Sequence, residues 1–243
     1  MSNTTTSLAS KRIMSLLDEN SFVKIGAGVK ARNTDFNITE KAAPSDGVIT
    51  GYGVIDGNLV YVYSQDVSVL NGTIGEMHAK KIANLYDLAM KTGAPVIGLL
   101  DCAGFRLQEA TDALNAFGEI YQKQAMASGV IPQITGVFGV CGGGLAVSCA
   151  MTDFTFMAEK DAQLFVNSPN AIEENYEEKC DTSSAQYQSE QTGLVDVTGD
   201  EDQVLAKIRE LICMLPSNNE DDASYEEGTD DLNRVCDNLA ACG

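Results

Sequence analysis

The chain has 243 residues, a formal net charge of −19 and 44% hydrophobic residues, which predicts one large folded domain or two small ones. The acidic balance argues against a nucleic-acid partner, and no apolar run reaches the length of a membrane span. The seven cysteines form no C-x-x-C pair, so neither a zinc ribbon nor a disulfide framework is predicted. Free thiols in a reducing cytoplasm are the interpretation we favour.

The acidic residues are concentrated towards the C-terminus, where residues 173–243 hold 19 acidic and 4 basic side chains. This concentration is compatible with a solvated acidic surface or with a docking surface for a partner subunit. We predict one domain over residues 1–215 and an acidic, partner-docking tail over 216–243. Leu232, Val235 and Leu239 could form a short docking helix within that tail.

The first part of the chain predicts a helix followed by an antiparallel hairpin. Leu8, Ile13, Leu16 and Leu17 form an apolar stripe at helical spacing. Asp56-Gly57 separates two runs rich in valine, isoleucine and tyrosine, and this dipeptide is typical of two-residue hairpin turns. The predicted elements are a helix over 6–20, a strand over 21–25, a loop over 26–46 and hairpin strands over 47–55 and 59–69.

From residue 76 onwards the chain alternates helices with short apolar runs. Such runs are typical of strands buried on both faces of a parallel sheet. The predicted helices cover 76–91, 107–128, a short stretch after the glycines 142–144, 170–179, 184–191 and 200–215. The predicted strands cover 95–100, 131–138, 153–157, 163–166 and 193–197.

Two glycine-containing loops follow two of these strands, one after Leu100 and one after Phe138. Parallel strands bring equivalent loops to one edge of a sheet, so we expect these two loops to be neighbours. Ala103-Gly104 in the first loop and Gly142-Gly143-Gly144 in the second each stand directly before a helix. The two turns could therefore supply converging backbone N–H donors to a developing oxyanion.

Other glycine-rich sites fit the sequence less well. Leu145 and Ala146 stand where a phosphate-binding loop needs Lys-Ser/Thr, and Val147 occupies the third glycine position of a dinucleotide fingerprint. Cys141 has the position of the nucleophile in a nucleophile elbow, but that arrangement needs a later histidine. The single histidine, His78, precedes it. We favour Cys141 as a small buried residue beside the turn.

The remaining polar residues that could take part in catalysis each have two interpretations. His78 is a packing or surface residue or, less favoured, a catalyst. Arg106 and Glu109 are either functional residues beside the Asp101 loop or a structural pair, within a helix or anchoring the loop. No metal site is predicted, because no cluster of ligands has metal-binding spacing. A site built from backbone donors is then the best remaining hypothesis, and such donors suit thioester enolates.

Four segments carry a resemblance to a known family: DGNLVYVYSQD (56–66), GEMHAKKI (75–82), KTGAPVIG (91–98) and ASGVIPQI (127–134). They are similar to the carboxyltransferase family of biotin-dependent acyl-CoA carboxylases and decarboxylases. Its members include propionyl-CoA carboxylase beta chains and glutaconyl- or methylmalonyl-CoA decarboxylase alpha chains. The resemblance implies an α/β, crotonase-like fold, a spiral of β-β-α units, with this chain as a single domain of the N-terminal type.

The resemblance also implies a site. Gly143 and Gly144 match the glycine turn that binds the thioester oxygen of the acyl-CoA enolate, so they are the expected catalytic residues. Cys102-Ala103-Gly104-Phe105 stands where the family commonly has Ser-Gly-Gly-Ala, and Phe105 is expected to narrow the acyl pocket. The other expected acyl-CoA-binding residues are Ala103, Gly104, Gly142, Lys80 and Lys81, although the two lysines could equally form a solvated helix face.

The implied activity is that of a carboxyltransferase subunit, with a coenzyme A thioester as substrate and biotin carried on a separate subunit. The resemblance covers the N-terminal-type domain, and it implies that the C-terminal-type domain of the family lies on a separate chain. We therefore expect a second carboxyltransferase chain, a biotin carrier protein and a biotin carboxylase or membrane decarboxylase subunit, in a trimer-based cytoplasmic hetero-oligomer. A biotin-independent crotonase-fold hydratase or thioesterase and a non-catalytic assembly subunit remain as alternatives. Near residues 180–192 the family often has a histidine that this chain lacks.

Overall fold

The computed structural model describes residues 7–34, 44–168, 181–221 and Gly228. Its helices are α1 (Leu8–Leu16), α2 (Glu76–Thr92), α3 (Ala110–Ala127), α4 (Gly144–Ala150), α5 (Ala185–Glu190) and α6 (Glu201–Met214). Its strands are β1 (Val23–Ile25), β2 (Val48–Ile55), β3 (Asn58–Gln65), β4 (Val96–Cys102), β5 (Gln133–Gly142), β6 (Phe154–Ala158), β7 (Gln163–Phe165) and β8 (Val197–Gly199). No helix in these ranges is long and apolar enough to cross a membrane.

All the strands form one mixed sheet in the order β1-β2-β3-β4-β5-β6-β8, with β7 paired to β5 outside this path. β1, β2 and β3 pair in antiparallel fashion, and every later pair is parallel. The predicted antiparallel start and parallel middle are therefore confirmed. Asp56 and Gly57 form the predicted hairpin turn with φ values of 46° and 90°.

Helices cover both faces of the central strands, which are buried over almost their whole length. α1 packs against α6, α2 packs against α3, and members of both pairs contact the sheet. α1 is shorter than predicted, because Ser7 caps its first turn and the backbone is extended at Leu17. Leu8 of the predicted apolar stripe is 52% exposed.

On α1 the charged Arg12 is buried, whereas the apolar Leu8 is exposed. The guanidinium of Arg12 can be buried because two carboxylates pair with it. Its guanidinium donates to Asp101 at 2.9 Å and to Glu201 at 3.0 Å. It also lies 4.9 Å from the centre of the Phe138 ring. These contacts join α1 to β4, β5 and α6. Arg12 therefore belongs to the protein interior, although the helical periodicity of the sequence places it outside the apolar stripe.

Two elements differ from the sequence prediction in ways that shape the loops. β5 continues to Gly142, because Val140, Cys141 and Gly142 pair with β7; most of the predicted glycine loop is therefore strand. The helix predicted over 107–128 is interrupted: Leu107–Glu109 form a 3-10 turn, and Ala110 has a φ of 46° before α3 proceeds. The interruption turns the Glu109 side chain into the interior.

Near the C-terminal end the helices over 184–191 and 200–215 are confirmed as α5 and α6. The strand predicted over 193–197 is displaced to Val197–Gly199. The beginning of the predicted tail is attached to the body, since Asn219 N–H donates to the Val130 carbonyl at 2.9 Å. The helices predicted over 170–179 and 232–239 lie outside the described residues.

We expect Asp200→Ala to lower the free energy of unfolding by about 1 kcal/mol, a typical value for loss of a helix N-cap. The Asp200 carboxylate accepts the Gln203 N–H at 2.8 Å, and the Gln203 side chain accepts the Asp200 N–H at 3.0 Å. Urea denaturation measures the difference. Asp202→Ala, which removes an exposed acid from the same helical turn, is the matched control. An equal loss in both variants would attribute the effect to charge near the helix end instead of to the cap.

Candidate functional site

The two loops expected to be neighbours emerge side by side from β4 and β5. These strands are parallel, and Cys102 at the end of β4 pairs with Cys141 near the end of β5. The first turn is Ala103-Gly104-Phe105. The second is Gly143, between the last residue of β5 and the first residue of α4. The sequence thus predicted correctly that both turns lie at the same edge of the sheet.

A cavity of about 660 Å³ lies against both turns. Six of the eight predicted site residues line it, namely Ala103, Gly104, Phe105, Gly142, Gly143 and Gly144. The rest of the described lining comes from Leu107, Leu114, Phe117, Tyr121, Val140 and Phe165. The walls are thus aromatic and aliphatic, and none of the described lining residues carries a charge. Such a cavity suits an apolar chain with one polar end.

The second turn leaves free backbone donors close to the cavity. Gly143 has φ 62° and ψ −127°, a conformation that only glycine adopts without strain. Its N–H donates to the Phe165 carbonyl at 2.9 Å. Gly144 is the first residue of α4, where the N–H has no partner within the helix, and the hydrogen bonds found among the described residues include no acceptor for it. Of the two expected catalytic glycines, Gly144 therefore offers the unoccupied N–H.

The N–H groups of Ala103 and Gly104 have other acceptors, so the prediction that these two residues supply donors converging with the second turn is wrong. Ala103 N–H donates to the Asn71 carbonyl at 3.2 Å, and Gly104 N–H lies 3.3 Å from the Cys102 sulfur. The Gly104 carbonyl accepts the Ile74 N–H at 2.9 Å. The loop over 70–74 thus holds the first turn by its backbone. The first turn shapes the cavity wall, and the side chain of Phe105, which is 38% exposed, projects at its edge.

A fully buried arginine holds the chain below the first turn. Arg106 contacts the Asp46 carboxylate, donates to Glu109 at 2.9 Å and donates to the Thr73 carbonyl at 2.7 Å. Glu109 in turn accepts the N–H of Glu76, the first residue of α2, at 2.7 Å. Of the two interpretations left open by the sequence, the structure shows the loop-anchoring pair. The residues that it joins were not predicted, since Asp46 and Thr73 are far away in sequence.

His78 is a buried packing residue, as favoured from the sequence. Its Nδ1 lies 2.9 Å from the Asp46 carbonyl, so Nδ1 carries the proton. Its Nε2 lies 3.4 Å from the side-chain nitrogen of Gln65, which can then donate to it. Burial, together with the nearby cations of Arg106 and Lys81, lowers the pKa of His78 well below the ordinary value. The residue therefore stays neutral and has no access to the cavity.

Cys141 is also buried, and burial raises the pKa of its thiol well above the ordinary value. A protonated thiol is a poor nucleophile. The geometry accordingly supports the small buried residue that we favoured over a nucleophile elbow. The cavity lining in the described residues instead offers backbone donors and apolar walls.

The two predicted lysines do not line this cavity. Lys80 is exposed on α2 and forms an ion pair with Glu76. Lys81 is buried, and its ammonium donates to the carbonyls of Ser45 and Val48. Burial lowers the pKa of Lys81 to about 8. Both lysines border a smaller pocket of about 190 Å³ between β1, β2 and α2.

Several lining residues were missed from the sequence. Phe117 and Tyr121 are separated by one helical turn on α3, with ring centres 6.0 Å apart, and Leu114 precedes them on the same helix. Their helical spacing is visible in the sequence, but the same spacing describes any packed helix face. Phe165 could not be identified because β7 reaches the end of β5 only through tertiary pairing.

The chain resembles known carboxyltransferases over most of its length. The family "Carboxyl transferase domain" matches residues 3–241. Methylmalonyl-CoA decarboxylase subunit alpha from Veillonella parvula is 42% identical over 235 residues, which are 95% of this chain and 46% of that protein. The propionyl-CoA carboxylase beta chain of Roseobacter denitrificans is 40% identical over 231 residues, or 93% of this chain and 45% of that one.

A solved structure agrees with these relatives. Transcarboxylase 12S, determined with hydrolysed methylmalonyl-coenzyme A bound, superposes with a TM-score of 0.86 at 34% sequence identity. The superposition covers 92% of this chain and 44% of that chain.

The sheet, its covering helices and its paired turns define a crotonase-like α/β protein. Within that class, this chain belongs to the carboxyl transferase domain family. The resemblance and the fold inferred from the sequence are therefore both confirmed. The chain spans slightly less than half the length of the curated relatives it matches, 46% in the Veillonella case.

The stability of the fold should fall as the pH drops below about 6.5, the ordinary histidine pKa. The unfolded chain takes up a proton on His78 in that range, whereas the folded chain does so only at a much lower pH. The expected loss approaches about 1.4 kcal/mol per pH unit. Urea denaturation at pH 7.5, 6.5 and 5.5 measures it.

His78→Asn should reduce this pH dependence, because His78 is the only histidine in the sequence. Carboxylates such as Asp46, whose pKa burial raises, titrate in both proteins, so the difference between the two proteins isolates the imidazole. Identical pH dependence in wild type and variant would contradict the assignment. At pH 7.5 the variant should be less stable, since it loses the acceptor for Gln65.

Proposed function

We propose that the chain is the acyl-CoA-binding carboxyltransferase subunit of a biotin-dependent acyl-CoA carboxylase or decarboxylase. One observation carries the proposal: in a member of the carboxyl transferase domain family, two turns that follow neighbouring parallel strands meet at one apolar cavity. The names of the relatives above make propionyl-CoA and methylmalonyl-CoA the first substrates to test.

In this proposal the chain binds the thioester and stabilises its enolate. Negative charge develops on the thioester oxygen when the α-carbon loses a proton or a carboxyl group. The Gly144 N–H donates to that oxygen, and the apolar walls strengthen the interaction by excluding water. Gly143 sets the backbone conformation that aims the donor, and Phe105 limits the width of the acyl pocket at its edge.

The described lining residues suit an acyl-CoA thioester better than a charged substrate, because none of them carries a charge. Leu114, Phe117, Val140 and Phe165 can pack against an acyl chain and the adjoining pantetheine. Exchange of the carboxyl group is the chemistry that biotin supplies when it is bound. We assign none of the described residues to biotin and place it with a partner. Lys80 remains the lysine that could meet a coenzyme A phosphate, because its ammonium is exposed.

The partners that we propose are a second carboxyltransferase chain of the C-terminal-domain type, a biotin carrier protein and a biotin carboxylase or membrane decarboxylase subunit. Exposed apolar side chains around the cavity support a covering partner: Leu107 is 73% exposed, Leu114 57% and Val166 62%. The transcarboxylase 12S structure is described as a hexamer assembly, which supports a trimer-based hetero-oligomer. Free cysteines at 102, 141, 149 and 213 support a reducing, cytoplasmic location.

The alternatives have less support. A hydratase or thioesterase of this fold would need an acid–base side chain, and no carboxylate lies among the described residues that line the cavity. Nothing in the described part of the chain specifically favours a non-catalytic assembly subunit. Titration of propionyl-CoA separates a carboxyltransferase subunit from an assembly subunit. The assembled complex should bind more acyl-CoA than the partner chains alone if this chain is a carboxyltransferase subunit, and no more if it is an assembly subunit.

We expect Gly143→Ala to lower carboxyl transfer at least about a hundredfold, the usual effect of a lost oxyanion donor. No atom lies within 4 Å of a Cβ added at Gly143, but the residue has a φ of +62°. The cost is therefore backbone strain, and the turn relieves it by moving the Gly144 N–H. The assay is exchange of the carboxyl group between methylmalonyl-CoA and biotin in the assembled complex.

Gly118→Ala is the matched control for this experiment. Gly118 lies on α3, a Cβ added there meets no atom within 4 Å, and its φ is not positive. The control should keep full activity and gain up to about 1 kcal/mol of helix stability. Full turnover by Gly143→Ala would refute the assignment of the turn.

A further inference from the structure

The short helix that follows the second turn, α4, has no side-chain cap to hold its first peptide units. α4 has seven residues and begins after Gly143. Helix starts normally depend on a capping side chain to hold their first peptides. One constraint on the turn is the bond from Gly143 N–H to Phe165. A second constraint is the bond from the Ala146 N–H to the Gly143 carbonyl at 3.1 Å. Neither of these two bonds involves the peptide unit between Gly144 and Leu145.

Tyr121 contacts this peptide unit from α3. Its hydroxyl donates to the Gly144 carbonyl at 2.6 Å. A peptide unit is planar, so fixing the Gly144 carbonyl also fixes the Leu145 N–H on the opposite side of the same unit. The N–H groups at the start of a helix point towards its N-terminus, and here that end meets the cavity. Tyr121 also lines the same cavity.

Gly144 packs closely against both Tyr121 and Phe117. A Cβ added to Gly144 would lie 2.8 Å from the Tyr121 hydroxyl and 3.2 Å from the Phe117 ring. A glycine at position 144 is therefore what allows the tyrosine to reach the backbone. Burial raises the pKa of Tyr121, so the hydroxyl keeps its proton and remains a donor at neutral pH.

A second contact between the same two helices lies away from the cavity. The Gln124 side chain donates to the Ser148 carbonyl at 3.0 Å, and the Ser148 hydroxyl donates back to Gln124 at 2.9 Å. Both residues are buried, and neither is among the described lining residues. α3 thus holds α4 at two points, of which only the Tyr121 contact reaches the turn.

We propose that Tyr121 is a positioning residue for the carboxyltransferase reaction: its hydroxyl orients the peptide unit between Gly144 and Leu145, so that the Leu145 N–H, the donor next to the Gly144 N–H at the start of α4, is held towards the thioester oxygen. This inference rests on the proposed function of the turn. It assigns no acid–base step to the phenol. Its effect should therefore appear in the chemical step and leave the binding of the acyl-CoA unchanged.

The test compares Tyr121→Phe with Ser148→Ala in the assembled complex. Each variant removes one hydroxyl bond between α3 and α4, but only Tyr121→Phe affects the turn. We expect Tyr121→Phe to lower kcat roughly tenfold or more with KM for propionyl-CoA within about twofold of wild type. Ser148→Ala should keep kcat within about twofold, although it should melt at a lower temperature because Gln124 loses a buried partner.

Unchanged kcat in Tyr121→Phe, or an equal loss in Ser148→Ala, would overturn the proposal. A loss confined to KM would overturn it as well. Failure of the proposed function looks different: wild type would then show no carboxyl exchange, or Gly143→Ala would retain it, and both proposals would fall together.

A second variant covers the case in which Tyr121→Phe folds poorly. Replacing Tyr121 with 3,5-difluorotyrosine keeps the ring and makes the phenol acidic enough to ionise within the assay range. An ionised phenolate cannot donate to the Gly144 carbonyl. The ratio of the activity of this variant to that of wild type should therefore fall with rising pH. Parallel pH profiles would contradict the role of the hydroxyl.

Discussion

The backbone pairing at the end of β5 is the constraint on which the rest of the site depends. Val140 to Gly142 pair with β7, while Cys141 also pairs with Cys102 of β4. The bond from Gly143 N–H to the Phe165 carbonyl continues the contact with β7 by one residue. Because strand geometry holds β5 up to Gly142, the chain must turn within a single residue before α4 begins. That requirement explains a glycine with φ 62° at this point.

The first turn is held by backbone bonds to the loop over 70–74 and, below it, by a cluster of buried charges. One guanidinium, that of Arg106, faces the carboxylates of Asp46 and Glu109 in the interior. Buried charges of this kind are tolerated only when they are paired and hydrogen-bonded. The partners of Arg106 lie on the segment before β2, the loop before α2 and the turn before α3. The cluster therefore joins three loops below the cavity. Its contribution is to define one arrangement of these loops, since desolvation offsets much of the Coulombic attraction.

The cavity combines these two supports. Its polar part consists of peptide groups placed by β5, β7 and α3, and its walls consist of apolar side chains, so the described lining needs no charged side chain. Backbone donors cost no reorganisation when charge develops, provided that the surrounding structure holds them rigidly. The contacts of Gly143 with Phe165 and Ala146, and of Gly144 with Tyr121, provide that rigidity. The exposed apolar rim around Leu107 and Val166 leaves the cavity open to a covering surface.

Local sequence determined the hairpin at Asp56-Gly57, the helices α2 and α6, the buried strands and the two turns at one edge, because turn residues, caps and periodicity act over a few neighbouring residues. The family motifs also pointed to the fold and to six of the residues that line the cavity. Only the tertiary structure decided that β5 runs on to Gly142, that Arg12 and Arg106 are buried, and that Lys81 is enclosed. It also decided which N–H groups of the turn are free, and it brought Tyr121 and Phe165 to the turn. Each of these features depends on a partner that is distant in sequence, so no local pattern could have revealed it.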